Sequence, residues 1–279
     1  MALTVLMLAG LAVVALLVVQ PLWRSHRRWR QRQQPLPSAW RRIVRRRVPQ
    51  VARLPADLQL RLKGLMQVFL AEKAFIGCAG LVVTDEMRVT VAAQACLPLL
   101  GHPRGYYPKL RQVLLYPGAF VVNRPFNAPG GVVQDQRRAL LGESWGEGQV
   151  ILSWQDVLHG AAVPDDGRNV VVHEFAHQLD QVKGLANGAP WMPQAADRAR
   201  WARVLQAEYD ALQHRLAAGR GPEDAPDLLD PYAATDPAEF FAVASEVFFE
   251  QGAAMAARHP ALYAVLRGFY GVDSASWAP

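Results

Sequence analysis

The sequence predicts an α+β domain, mostly helical with a small mixed sheet, joined to one N-terminal transmembrane helix. Three observations carry the prediction. Met1–Val19 holds no charged side chain. Apolar residues recur at helical spacing through residues 56–75, and the later part of the chain reads as mostly helices. Between them lie short runs of strand type. At 279 residues, about half of them apolar, the chain can bury one sizeable core.

The first element is the apolar run Leu3–Val19. About 20 such residues span a bilayer core of roughly 30 Å as a helix. A secretory signal would carry its basic residues ahead of the run. Here they follow it, in Arg24, Arg27, Arg28 and Arg30, with Trp23 and Trp29 suited to an interfacial belt. The expectation is a single-pass anchor in a bacterial inner membrane, over residues 1–22, with the catalytic domain in the cytoplasm.

Residues 23–52 then read as a basic juxtamembrane segment and linker. Eleven arginines lie from Arg24 to Arg53 with no acid among them. The remaining nineteen basic residues face twenty-four acidic ones, so the net charge of +6 is a local feature. The arginines are expected to meet anionic headgroups. No RNP, finger or basic-zipper pattern is present, and no nucleic acid is expected as a partner. Cys78 and Cys96 form neither a disulfide framework nor a CxxC pair.

The expected domain runs over residues 53–279. A helix is predicted over 56–75 from Leu58, Leu62, Leu65, Phe69 and Leu70. Gly80–Thr84 reads as a short strand, and Asp85 as the cap of a helix over 86–100. Val113–Tyr116 is a strand, Pro117-Gly118 a turn and Ala119–Val122 a return strand. Gly148–Trp154 is a further strand, and within it Gln149–Ser153 is a candidate to receive an extended substrate.

His173-Glu174-Phe175-Ala176-His177 is an HExxH motif. Four-residue spacing on a helix places both imidazoles on one face, within reach of one Zn2+. Glu174 can then serve as the base for a water activated by that metal. Val170-Val171-Val172 before the motif marks a helix buried in a core. The bland alternative is surface histidines on an ordinary amphipathic helix.

A catalytic zinc needs a third protein ligand. His173 and Asp180 are seven apart, about 10 Å along one helix axis, so Asp180 is a partner of a ligand or a helix-end residue. The third ligand belongs on another helix. Asp236 reads as an N-cap, Pro237 as the first helical residue, and Glu239 as either a ligand or a capping-box carboxylate. Glu246, two turns on, is the competing candidate. Tyr232 precedes this helix and reads as an oxyanion donor or as a loop tyrosine packed on the core.

His173–Asp180 and Tyr232–Phe249 together strongly resemble the Mlc titration factor A family of bacterial zinc metallopeptidases. Phe69–Lys73 and Thr84–Val89 resemble it too, and the likeness covers Arg53–Tyr270. The resemblance implies a zincin-like, gluzincin-type domain. It implies His173, His177 and Glu239 as zinc ligands, Glu174 as general base and Tyr232 as stabiliser of the tetrahedral intermediate. It further implies short peptide substrates, including those of aminopeptidases, and a transcriptional repressor of the Mlc type as partner. Familiar members lack the apolar N-terminal run. The rival expectation is a membrane-tethered binder of a regulator that cleaves nothing.

Overall fold

The computed structural model describes residues 2–102, 106–128, 132–140, 142–145, 148–219 and 227–277; for residues 120–147 it describes the backbone alone. The architecture is α+β and mostly helical. The helices are α1 (Ala2–Gln33), α2 (Ser38–Arg47), α3 (Gln50–Arg53), α4 (Ala56–Glu72), α5 (Asp85–Ala95), α6 (Trp154–Ala162), α7 (Val170–Asp180), α8 (Ala195–Ala217), α9 (Pro237–Glu250), α10 (Gly252–Arg258) and α11 (Pro260–Tyr270). The strands are β1 (Ala74–Gly77), β2 (Gln112–Tyr116), β3 (Phe120–Ala128), β4 (Val132–Leu140), β5 (Gly142–Trp145) and β6 (Gln149–Ser153).

One sheet runs in the order β1-β2-β6-β5. The pairs β1–β2 and β2–β6 are parallel, and β5 lies antiparallel to β6. Val150, Ile151 and Leu152 of β6 are all buried, the run expected of a strand covered on both faces. The strands β3 and β4 form a separate antiparallel hairpin. Against the sheet lies α7, which also packs on α9. Phe175 of α7 is fully buried between Phe69 and Tyr107, at ring-centroid separations of 5.6 and 4.8 Å. Phe241 and Phe248 of α9 meet Tyr270 of α11. The first cluster ties α7 to α4 and to the segment before β2, and the second ties α9 to α11, since truncating a buried aromatic costs several kcal/mol.

The expected membrane anchor is corrected. Among the described residues no helix is long and apolar enough to cross a membrane. Most side chains of Leu3–Val18 lie outside the described residues. The apolar run does not end as a separate helix; α1 continues from Ala2 without a break through the arginines to Gln33. Its basic half leans on the domain. Arg28 forms a two-pronged ion pair with Glu72 at 2.7 and 2.8 Å, and its guanidinium stacks 4.6 Å from the Tyr106 ring. Arg46 and Arg47 both pair with Glu86. Protein carboxylates therefore hold three arginines that the sequence assigned to headgroups, and the single-pass inner-membrane placement falls with the span. In the segment read as a linker, α2 and α3 bury Val44 and Val51 in the core, with Val48 between them.

The expected strand at Gly80–Thr84 is displaced. The strand is Ala74–Gly77, cut from the end of the predicted helix. Ala79 and Gly80 both have positive φ and turn the chain back on itself. A Cβ on Gly77 would lie 1.8 Å from the Leu81 carbonyl oxygen, so this reversal requires glycine. Thr84, rather than Asp85, caps α5 by accepting from the Met87 N–H.

Candidate metal centre

The geometry of α7 starts at Asn169. Its Oδ1 accepts the Val172 N–H at 3.0 Å and closes the first turn. The helix that follows is buried nearly all round, and only one face opens to the site. His173 and His177 share that face, with ring centroids 4.9 Å apart.

The start of α9 is equally determined. Asp236 Oδ1 accepts the N–H groups of Ala238 and Glu239 at 2.8 and 3.0 Å, and Pro237 occupies the first turn, where its missing N–H costs nothing. The Glu239 carboxylate turns to the histidines. Its Oε2 lies 2.9 Å from His173 Nε2 and 3.5 Å from His177 Nε2. Ligand atoms of His173, His177 and Glu239 all fall within 4.8 Å of one another. Among the described residues this is the one group of His, Cys, Asp or Glu with the geometry to hold a metal ion.

The donors are two imidazole nitrogens and one carboxylate oxygen, a set typical of catalytic zinc sites. Electrostatics also fit a cation. Burial works against charge on His173, but the carboxylates of Glu246 and Glu239 outweigh it and raise the imidazole well above its usual value. Burial likewise opposes charge on Glu239, and its hydrogen bonds to both histidines hold the carboxyl well below the usual range. Positive charge between these groups is thus favoured, by a proton or by a metal.

Glu174 is buried, and its Oε2 has no hydrogen-bond partner. Burial pushes its carboxyl up to about 7, against the attraction of His173 and His177. An unpaired buried carboxylate oxygen is costly, and a nearby cation or water would relieve it. Tyr232 sits on a short helical turn, Pro231–Ala234, capped by Asp230, which accepts the Tyr232 N–H at 2.9 Å. Its ring centroid is 6.2 Å from that of His173, and the residue is 41% exposed. The structure therefore brings all five sequence-expected residues together.

Neither Glu246 nor Asp180 joins the three-donor group. Glu246 Oε1 is 2.7 Å from His173 Nδ1, the ring nitrogen facing away from Glu239. Asp180 Oδ2 accepts the N–H groups of Asn187 and Gly188 at 2.7 and 2.6 Å and pins the loop after α7. Sequence reasoning missed Asn169 and placed Glu250 on the helix of Glu239 without giving it a role. An asparagine directly before the apolar run was a readable cap signal; Glu250 had none. The strand Gln149–Ser153, expected to receive substrate, pairs on both sides, with β2 and β5. The sheet edge beside it is β5, which also contacts α7.

Comparison with known proteins identifies relatives over most of the chain. A Synechocystis protein described as uncharacterized is 40% identical over 261 residues, covering 93% of both chains. The Mlc titration factor A of Pectobacterium atrosepticum is 36% identical over 227 residues, covering 81% of this chain and 83% of that one. The Mlc titration factor A of Salmonella agona is 35% identical over 228 residues, with the same coverage. The family profile described as glucose-regulated metallo-peptidase M90 matches residues 22–271, which take in α7, α9 and the Tyr232 turn, and the chain therefore belongs to that family.

Proposed function

We propose that this protein is a zinc-dependent peptidase with a zincin-like, gluzincin-type domain. His173, His177 and Glu239 hold one Zn2+. The observation that carries the reading is the convergence of these three donors beside a buried Glu174 whose Oε2 lacks a partner. The ion, when held there, polarises a carbonyl and makes water acidic near neutral pH. Glu174 takes the proton from the attacking water and delivers it to the leaving amine. The Tyr232 hydroxyl donates to the oxyanion. The β5 edge supports binding of an extended substrate as an added strand. Short peptides of the aminopeptidase type and a link to regulation of sugar uptake are what the family resemblance implies, and the family description names glucose regulation.

The test is Glu174→Gln. The variant is expected to bind zinc like the wild type and to lose hydrolysis of a peptide library; full activity would defeat the reading. A second reading rests on the relatives' name, Mlc titration factor A. On it the chain binds a transcriptional repressor of the Mlc type and cleaves nothing. Capture of purified repressor by Glu174→Gln, with no peptide cleaved by the wild type, would favour this second reading.

A further inference from the structure

The side of α9 that carries Glu239 carries two more carboxylates toward the start of α7. Seven residues on, Glu246 comes round to nearly the same angle, and Glu250 lies one turn beyond. All three engage residues 168–177. Glu239 meets Nε2 of both histidines. Glu246 Oε1 lies 2.7 Å from His173 Nδ1, while its Oε2 accepts the backbone N–H of Asn169. Glu250 accepts from Asn169 Nδ2 at 3.0 Å and from the Arg168 N–H at 3.1 Å.

Glu246 is thus fixed from two directions. It receives the N–H of the residue that caps α7, and it faces an imidazole one turn into the same helix. Each ring nitrogen of His173 faces a carboxylate, Glu246 at Nδ1 and Glu239 at Nε2, and a metal taken up at Nε2 would leave the ring proton on Nδ1, donated to Glu246. That leaves the Nε2 lone pair aimed at the space shared with His177 and Glu239. The two ring nitrogens point in divergent directions, so Glu246 cannot reach a metal held at Nε2. The competition between Glu239 and Glu246 for the third-ligand role ends with different tasks for the two.

We infer that Glu246 is a positioning residue of the metal centre: it sets the Nδ1–H tautomer and the ring orientation of His173 and so sets metal affinity, with the α7 cap at Asn169 locked into the same contact. Outer partners of ligand histidines work in this way, and their loss weakens metal binding roughly 10–100-fold. The inference rests on the metal-site reading above, but not on peptide cleavage.

The test uses the full chain stripped of metal and titrated with Zn2+ against a competing chelator. Glu246→Ala is expected to weaken zinc binding roughly 10–100-fold, and Glu246→Gln, which keeps one acceptor oxygen, by less. Ser245→Ala is the control for stability. It removes the Tyr270–Ser245 hydrogen bond in the adjacent core and touches neither histidine. Its zinc affinity should stay within about twofold of wild type on these grounds. In the zinc-loaded wild type, the His173 Nδ1–H should appear in proton NMR as a slowly exchanging imidazole proton. It should shift in Glu246→Gln and exchange rapidly in Glu246→Ala.

Wild-type affinity in Glu246→Ala, or equal zinc loss in Ser245→Ala, overturns the inference. Should Glu246→Ala fail to fold, an unmoved imidazole proton in Glu246→Gln overturns it instead. A wild type that binds no zinc defeats the metal-site reading and this inference together. A wild type that binds zinc and cleaves no peptide leaves the inference standing.

Discussion

Glu239 Oε2 lies 2.9 Å from His173 Nε2, although the two residues are 66 positions apart in the chain. One sits in the first turn of α9 and the other in the first turn of α7. Contact between two helix starts is what closes the three-donor site. On the proposed reading, Glu239→Ala removes a ligand rather than a supporting partner. Zinc affinity should therefore fall by more than the roughly 100-fold upper range for outer partners. The Asp236 cap remains, so circular dichroism should show the helices intact. Retention of stoichiometric zinc after dialysis would remove Glu239 from the ligand set.

Tyr232 stands 6.2 Å, ring to ring, from His173 and is partly open to solvent. A hydroxyl that acts only on the transition state affects kcat and leaves KM nearly unchanged. Tyr232→Phe should lower kcat on the order of 10²-fold, with unaltered zinc content. A matching rise in KM at constant kcat would make the tyrosine a substrate contact instead.

The two histidines and Glu174 were legible because four-residue spacing on a buried helix is a local pattern. Glu239 was only half legible. A glutamate in the third position of a helix is equally suited to capping, and the direction it turns depends on α7. Glu246 could not be separated from it by spacing, since seven residues return nearly to the same helical face. The apolar run at the N-terminus misled for a similar reason. Hydropathy reads a window, whereas α1 runs on into arginines, and Arg28 among them finds its partner, Glu72, far along the chain. The strand at Ala74–Gly77 escaped notice because it is only four residues long and follows α4 after a single residue, Lys73, with its reversal at Ala79-Gly80 fixed by local backbone geometry.

Gly188 joins the site to the rest of the fold. Its N–H reaches Asp180 at the end of α7, and its carbonyl accepts Trp201 Nε1–H at 2.8 Å. Its φ is +75°, and a Cβ there would lie 2.3 Å from the Pro237 carbonyl oxygen, at the start of α9. Gly188→Ala meets both penalties. It should lower stability by at least about 1–3 kcal/mol, read as a shift in the urea midpoint. Because Pro237 is two residues from Glu239, zinc affinity should fall as well. An unchanged midpoint would show that the loop yields without disturbing α9.

Glu250 gives a pH dependence with a defined sign. Burial pushes its carboxyl up to about 8, reinforced by Asp166 and Glu246 and opposed by the Asn169 hydrogen bond. In the unfolded chain a glutamate titrates near 4.3. Between about 4.3 and 8 the folded state therefore holds a proton that the unfolded state has released. Its contribution to stability is fully present below the unfolded value and is lost as pH rises through about 8. Glu250→Gln removes that titration, at a cost of roughly 0.5–1.5 kcal/mol for one hydrogen bond that the amide cannot accept. The urea midpoint of the wild type should fall from pH 5 to pH 8.5 more steeply than that of Glu250→Gln. The variant's deficit should therefore narrow with rising pH. Parallel curves would mean that Glu250 titrates normally, with its two N–H donors stabilising the carboxylate fully despite burial.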